Sequence, residues 1–395
     1  MKKNTIKHLF FTGLVSVLLL AAAGLVFRAW LQSGTVRHRV ACLYSDASAY
    51  ALDYEAVAQQ LNEAGMDAAA YQTQDLADQA GTCLAGGASV LVVGLDAVPA
   101  DTSLLEAAAR YSADVFLVGT YPGDDYMASY DKVYYVGSRP EYAGELAGQD
   151  AALAYRGGAI PDLTGNLLLD YLSAGMEDGN AAVTLAYAVQ ECEHYGVYSQ
   201  SCLPQYTAEA EAEEEAEESA DSDAALAEPF TPPEGMSEGA AALAQAWLTR
   251  VYEPELIYCA GLDALVSAQE YADFAGWSTR ENPVSYVLFT DSLGEAQQGV
   301  SRGCATVIYY DAEAVGKCIV QMCVNLAQQN YIAEDTGFAP DEHASLWVPY
   351  AMLRSAAANL PEATAVPADS DPEADSVSGA ESAAQSASAA DSTAG

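Results

Sequence analysis

The stretch Ser129–Gln149, SYDKVYYVGSRPEYAGELAGQ, reads as a strand, a turn and a helix in succession. Val133 to Val136 combines β-branched and aromatic residues, which suit a buried, pleated strand. Gly137 ends that run and Ser138 is a candidate cap. Pro140 stands where the first turn of a helix tolerates a missing N–H, and Glu141 complements the positive helix end.

The same order recurs along the 395 residues. Strand-like runs fall at His38–Tyr44 (HRVACLY), Ala88–Gly94 (ASVLVVG), Ala113–Gly119 (ADVFLVG), Pro254–Gly261 (PELIYCAG), Val284–Thr290 (VSYVLFT) and Ala305–Tyr310 (ATVIYY). Between them, Tyr54–Glu63, Leu104–Tyr111, Ala240–Arg250 and Ala312–Gln329 place apolar residues at helical spacings of three and four. Such alternation predicts βαβ units around parallel sheets, whose strands are apolar because helices cover both faces. The roughly 320 residues outside the low-complexity and terminal segments are more than one such core usually holds, so two α/β lobes are expected.

Leu9–Phe27, LFFTGLVSVLLLAAAGLVF, is a run of 19 uncharged residues preceded by Lys2, Lys3 and Lys7. This length suits a bilayer core, so residues 1–36 are expected to be a transmembrane anchor or a signal segment that exports the body of the chain. A lipoprotein anchor would need a cysteine just beyond the run, but the first cysteine is Cys42, inside a strand. Export is the expectation with either kind of segment.

Two segments lack the apolar residues to repay their ordering entropy: an acidic insert at 207–238 and an Ala/Ser/Asp tail at 359–395. Ala208–Pro229 holds ten acidic residues and Pro361–Gly395 holds seven, so most of the net charge of −41 resides on the rest of the chain. Nucleic acid is excluded as a partner by that charge, and anionic lipid surfaces are poor ones. The eight cysteines fall mostly among apolar neighbours, as buried free thiols do, with Cys192 and Cys202 the one pair placed to form a disulfide. The four histidines have no metal-ligand spacing. No nucleophile elbow, P-loop, dinucleotide fingerprint or zinc-protease motif is present, and Asp291–Ser292 has no histidine nearby in sequence, so an enzyme is not expected.

In order and spacing, several of these pieces resemble the galactose- and glucose-binding members of the type I periplasmic (extracytoplasmic) solute-binding family. They are the SYDKVYYVGS…EYAGELAGQ stretch, DLTGN at Asp162–Asn166, AWL at Ala246–Leu248 leading to PELIYCAG, Val287–Lys317, and LWVPY at Leu346–Tyr350. The resemblance spans about residues 37 to 353 apart from the insert. It implies a two-lobed α/β fold, each lobe a parallel sheet flanked by helices, with a three-strand hinge and a ligand between the lobes at the carboxyl ends of the strands. On this pattern the first lobe comprises 37–120 and 312–343, and the second 121–311 and 344–358.

The departures from the family pattern lie at the ligand site. Gly179, Ala181 and Leu185 stand where the family carries the His, Asp and Arg that clamp a sugar. Gly261 and Leu262 replace an Asn-Asp pair, and Gly94 replaces an asparagine. A stacking tryptophan would fall near Gly235, where Phe230 and Met236 are the bulky candidates. By resemblance the ligand-binding positions that stay polar or aromatic are Asp46, Tyr50, Asp96, Tyr121, Asp291, Tyr310 and Asp311. Asp291 and Asp311 are equally readable as N-caps of the helices that follow them. Of the family's calcium ligands, Asp162, Asn166 and Glu255 remain, but Leu167 and Leu169 occupy positions where oxygen donors are needed, and no cofactor is expected.

The resemblance thus implies an extracytoplasmic, ABC-transporter type of substrate-binding protein whose partners are a small polar solute, such as a sugar, and a permease or another envelope protein. The alternative is a vestigial binding fold serving as a membrane-anchored interaction, scaffold or sensor module.

Overall fold

The computed structural model describes residues 38–177, 179–203 and 230–355. The apolar run Leu9–Phe27, the Ala208–Pro229 part of the acidic insert and the tail from 359 onward lie outside the described residues. Among the described residues, no helix is long and apolar enough to cross a membrane.

The chain runs through β1 (Arg39–Tyr44), α1 (Tyr54–Glu63), β2 (Asp67–Gln72), α2 (Leu76–Ala85), β3 (Val90–Leu95), α3 (Ser103–Tyr111), β4 (Asp114–Gly119), the short α4 (Asp124–Met127) and β5 (Val133–Gly137). It continues with α5 (Pro140–Arg156), β6 (Leu169–Ala174), α6 (Gly179–His194), β7 (Ser199–Ser201), α7 (Glu238–Ala246), β8 (Leu256–Ala260), α8 (Leu262–Phe274), β9 (Ser285–Thr290), α9 (Leu293–Ser301) and β10 (Thr306–Tyr309). It closes with α10 (Ala312–Gln328), β11 (Ser345–Trp347) and β12 (Ala351–Arg354). Two six-stranded sheets result, ordered β11-β5-β4-β3-β1-β2 and β12-β10-β9-β8-β6-β7. The first is parallel throughout, and in the second only β12 runs antiparallel to its neighbour.

Helices cover both faces of the first sheet. Val57 and Leu61 of α1 join Ile319, Met322 and Cys323 of α10 over Val40, Val92 and Phe116, while Leu84 and Leu105 from α2 and α3 pack over Leu91, Val93 and Leu117. The second lobe buries Trp247, Leu265, Tyr271 and Trp277 against Ile257 and Leu288. On its other face α5 and α6 approach closely, because a Cβ at Gly144 or Gly148 would strike the Thr184 or Ala188 carbonyl. This is the two-lobed type I periplasmic-binding-protein architecture.

The chain crosses between the sheets three times, at Ser138–Arg139, Tyr310–Asp311 and Val348–Tyr350. The lobe boundary therefore differs from the sequence reading. Val133–Gly137, placed in the second lobe by resemblance, pairs with β4 and β11 and completes the first sheet; the segment from Tyr121 to Gly137 belongs to the first lobe. Ser345–Trp347 also joins the first sheet, so only the chain beyond Val348 returns to the second. Residue composition marks a strand but not which hydrogen-bond ladder it completes. Ser138 is not a helix cap: its hydroxyl donates to the Val348 carbonyl at 2.5 Å, tying the first crossover to the third.

The acidic insert also ends earlier than expected. Phe230 donates its backbone N–H to Gln245 at 2.8 Å and packs edge-on to Phe274, and Ser237 caps α7. Phe230 and Met236 thus pack on the second-lobe core, not at a ligand face. Cys192 and Cys202 are both buried free thiols.

Candidate ligand-binding cleft

At the carboxyl end of β1 the chain turns through a reciprocal pair of bonds, Ser45 N–H to Ser48 Oγ at 3.0 Å and Ser48 N–H to Ser45 Oγ at 3.1 Å. The single 3₁₀ turn Ala49–Ala51 follows and leaves Tyr50 41 % exposed. Ser45 donates to Asp96 Oδ2 at 3.2 Å, and Thr120 donates to the Asp96 carbonyl at 3.1 Å, so the ends of β1, β3 and β4 are tied together. Tyr54 stacks on Tyr44 with ring centroids 4.5 Å apart. Its buried hydroxyl donates to Ser48 O at 3.3 Å and fills the space beside Gly94, where any Cβ would collide with it. The space that a side chain at position 94 would take is held by a tyrosine hydroxyl from a neighbouring element.

From the second lobe, β9 delivers Asp291, and the second and third crossovers deliver Tyr310 and Tyr350. The Tyr310 ring meets Tyr50 edge to face at 6.2 Å and Tyr350 at 6.1 Å. Burial first, then the Asp291 and Asp96 carboxylates, raise the Tyr50 phenol above its ordinary pKa, which places charges from both lobes around one hydroxyl. Tyr350 is raised by burial and then by Asp291, Tyr50 and Glu141. Asp291 is itself pushed up by partial desolvation and the nearby Glu295, although its side chain keeps contact with solvent. Its carboxylate makes no hydrogen bond among the described residues. Tyr310 is 5 % exposed, and its hydroxyl has no hydrogen-bond partner among the described residues. Aspartate carboxylates and phenol hydroxyls converging between two lobes can accept from a polar ligand while the rings pack on its apolar faces.

Four of the seven residues expected at the ligand site, Tyr50, Asp96, Asp291 and Tyr310, therefore come together. The other three are engaged in local structure. Asp46 accepts from Gln72 on the edge strand. Tyr121 donates to Asp124 at 2.5 Å and packs on Tyr135 and Trp347; burial and then that bond push its phenol up to about 12. Asp311 caps α10, accepting from Ala314 N–H at 3.0 Å. The cap alternative thus describes Asp311 but not Asp291, because Ser292 takes the capping role on α9, accepting from Glu295 N–H at 3.2 Å.

Tyr54, Tyr135, Tyr350 and Glu141 also gather here, and sequence reading passed over them as ligand-site residues. In a chain with 25 tyrosines the residue type carried little signal, and only adjacency to the crossovers could have singled out Tyr350. Beside this cluster, Arg139 lies 4.1 Å over the Trp347 ring, and Asp341 accepts from Trp347 Nε1 at 2.8 Å and pairs with Arg139 at 3.5 Å. Those contacts brace the first crossover against β11.

The second candidate site is the loop ahead of β6. Asp162 accepts from Gly165 N–H at 2.6 Å and Leu167 N–H at 3.0 Å. Buried Glu255 accepts from Leu163 N–H at 2.5 Å and Asp170 N–H at 3.2 Å. Asn166 turns its amide nitrogen to Asp170 Oδ2 at 3.4 Å and its oxygen to Leu168 N–H at 2.8 Å. Desolvation is the largest influence on Glu255 and holds its carboxyl up at about 7 despite the two N–H donors. A calcium ion needs six or more oxygens. Here the oxygens of Asp162 and Glu255 each accept a backbone N–H, Asp170 Oδ2 accepts from the Thr164 and Asn166 side chains while its buried Oδ1 has no partner among the described residues, and no cluster of metal-holding side chains is found among the described residues. The residues present do not fit the ion, and the loop is held by its own amides instead.

No protein-family model matches the chain. The D-galactose/methyl-galactoside binding periplasmic protein MglB of Haemophilus influenzae is 24% identical over 264 residues, which is 66% of this chain and 70% of that protein. A periplasmic ribose ABC transporter structure from Conexibacter woesei superposes with a TM-score of 0.52 at 14% identity, covering 81% of this chain and 92% of that one. A sugar ABC transport system substrate-binding protein from Bordetella parapertussis gives 0.51 at 14% identity over 80% and 89%. The fold is that of the type I periplasmic solute-binding proteins. Within that class the chain resembles the galactose/glucose-binding members.

Proposed function

We propose that this chain is an extracytoplasmic solute-binding protein of the ABC-transporter substrate-binding type, and not an enzyme, holding a small polar ligand between its lobes. The observation that carries this reading is the meeting of Tyr50 and Asp96 from the first lobe with Asp291 from the second, beside the Tyr310 and Tyr350 crossovers. A ligand bridging these groups would stabilise the arrangement in which the lobes face one another, and such closure is what a permease or sensor partner would read. The sugar-binding relatives support a polyhydroxylated ligand. Among the described residues no lysine, arginine or histidine forms an ion pair with Asp96 or Asp291, and the carboxylates and phenols of the cluster suit binding better than covalent chemistry.

The test is thermal unfolding of the full chain in detergent against monosaccharides, disaccharides and nucleosides. Binding to the folded state alone adds about 2.7 kcal/mol at a hundredfold excess over Kd. A midpoint rise for one ligand class, lost in Asp291→Ala, is the expected result. No shift across the panel would favour a scaffold role, for which the loss of the His, Asp and Arg clamp at Gly179, Ala181 and Leu185 is the motivating observation.

A further inference from the structure

The strand ends of the two lobes are finished differently. On the first lobe, β3 carries Gly94 near its carboxyl end, where a Cβ would lie 2.8 Å from Ser48 Oγ and collide with the Tyr54 hydroxyl. Gly94, Ser48 and Tyr54 are all buried. The backbone at Gly94 is outside the left-handed region, so it is lack of space that excludes a side chain there. At the end of β5, a Cβ on Gly137 would collide with the Tyr135 hydroxyl in the same way. On the second lobe, Gly261 follows β8, and a Cβ there would meet nothing within 4 Å beyond its own chain neighbours. The first lobe is filled at these strand ends, and the second stands beside free space.

The hydroxyls that do the filling are spent within the lobe. Tyr54 donates to Ser48 O at 3.3 Å, and Tyr135 donates to Gly119 O at 2.6 Å. Ser48 Oγ accepts from Ser45 N–H at 3.0 Å and donates to Ser45 O at 3.4 Å. A hydroxyl whose one proton is already bonded to a carbonyl has no donor left for a ligand.

Exposed contact surface lies farther out. Tyr50, Val98 and Leu293 are exposed, and they stand on the segments that follow β1, β3 and β9. In open α/β sheets those carboxyl ends face the ligand crevice. The three residues therefore belong to its lips, two from the first lobe and one from the second.

We infer that Tyr54 is a specificity-determining residue: its hydroxyl closes the first-lobe floor of the cleft at Gly94, so that the ligand is held between the lips and the second lobe and is a saccharide of two or more units. This rests on the solute-binding reading and names its substrate class. Ligand sites generally bury most of the ligand surface. A single sugar ring over a filled floor loses contact on one side, and further units regain it along Tyr50, Val98 and Leu293. An exposed tyrosine ring suits the apolar face of a pyranose.

The experiment has two arms, both on the full chain in detergent. The first needs no ligand: Gly94→Ala is made in the parent and in Tyr54→Leu, and melting midpoints are compared. The substitution should lower the midpoint in the parent and do so much less in Tyr54→Leu. Tyr54→Phe, which keeps the ring and removes the hydroxyl, provides the same comparison where the leucine variant does not fold. No loss in the parent, or an equal loss in both backgrounds, shows that Tyr54 does not hold that space and overturns the inference.

The second arm is titration calorimetry with galactose, melibiose and raffinose, and with glucose, maltose and maltotriose. Affinity should rise about tenfold or more from one unit to three in at least one series. Tyr50→Ala should reduce that gain, and Tyr54→Leu should shift the preference back toward the monosaccharide. Monosaccharides that bind as tightly as their trisaccharides overturn the inference and leave the solute-binding reading standing. A closed floor with no binding by any of the six sugars overturns the saccharide assignment and counts for the scaffold role against the solute-binding reading.

Discussion

The β6 loop and the interlobe cleft each gather carboxylates, but in opposite ways. In the loop, each oxygen of Asp162 and Glu255 accepts a backbone N–H, from Leu163, Gly165, Leu167 and Asp170, although the buried Asp170 Oδ1 beside them has no partner among the described residues. In the cleft, Asp96 receives one serine hydroxyl and Asp291 receives nothing from the described residues. A carboxylate satisfied by its own backbone holds structure; one left open at the meeting of two lobes is available to a ligand. The difference is one of partners, since the residue types are the same.

The largest effect that would break this comparison is expected in the loop. Glu255→Ala leaves the Leu163 and Asp170 N–H groups without acceptors, at about 1–3 kcal/mol for each buried group orphaned. Chemical denaturation should show a loss of that order, with affinity for any cleft ligand little changed. A large loss of ligand affinity with unchanged stability would reverse the two roles.

Next comes the pH dependence of the same carboxyl. Glu255 is raised from 4.5 to about 7 in the folded chain, so the folded state binds its proton more tightly than the unfolded one. The stabilisation is complete below about pH 4.5 and is lost as pH rises through about 7, with a change on the order of 2 kcal/mol. Denaturation series between pH 5 and 8 should show this decline, and Glu255→Gln should flatten it.

Smaller again is the cap. Asp311→Ala should cost about 1 kcal/mol through loss of the bond to Ala314 N–H. Asp311→Asn should recover most of that stability, and a large loss of ligand affinity in Asp311→Asn would return this residue to the site. The smallest stability changes belong to the cleft. Tyr310→Phe removes a hydroxyl that has no partner among the described residues and should leave unfolding within about 0.5 kcal/mol of the parent, or slightly stabilised. Its cost should appear in ligand affinity, measured by calorimetry, and a stability loss without an affinity loss would show the hydroxyl to be structural.

Much of the fold was legible because periodicity survives in a single sequence. The helix expected over Tyr54–Glu63 has those bounds, and the Ala312–Gln329 pattern ends one residue earlier, at Gln328. Edge strands were harder to see. Asp67–Gln72 is partly exposed and poor in branched residues and Ser199–Ser201 is only 3 residues long, so β2 and β7 carry little alternation to detect. The site was legible only in part. Asp291 and Tyr310 followed from the order of motifs, whereas Tyr350 and Glu141 did not.

By itself, the sequence determined the alternation of strands and helices, the acidic character of the chain and the absence of the familiar catalytic motifs, because these depend on residue type and local spacing. The tertiary structure alone decided that Val133–Gly137 completes the first sheet, that Tyr54 fills the space at Gly94, and that Asp311 is a cap while Asp291 is left open. Each of these outcomes depends on a partner brought from elsewhere in the chain or on a bond actually formed, and residue type and spacing do not determine either.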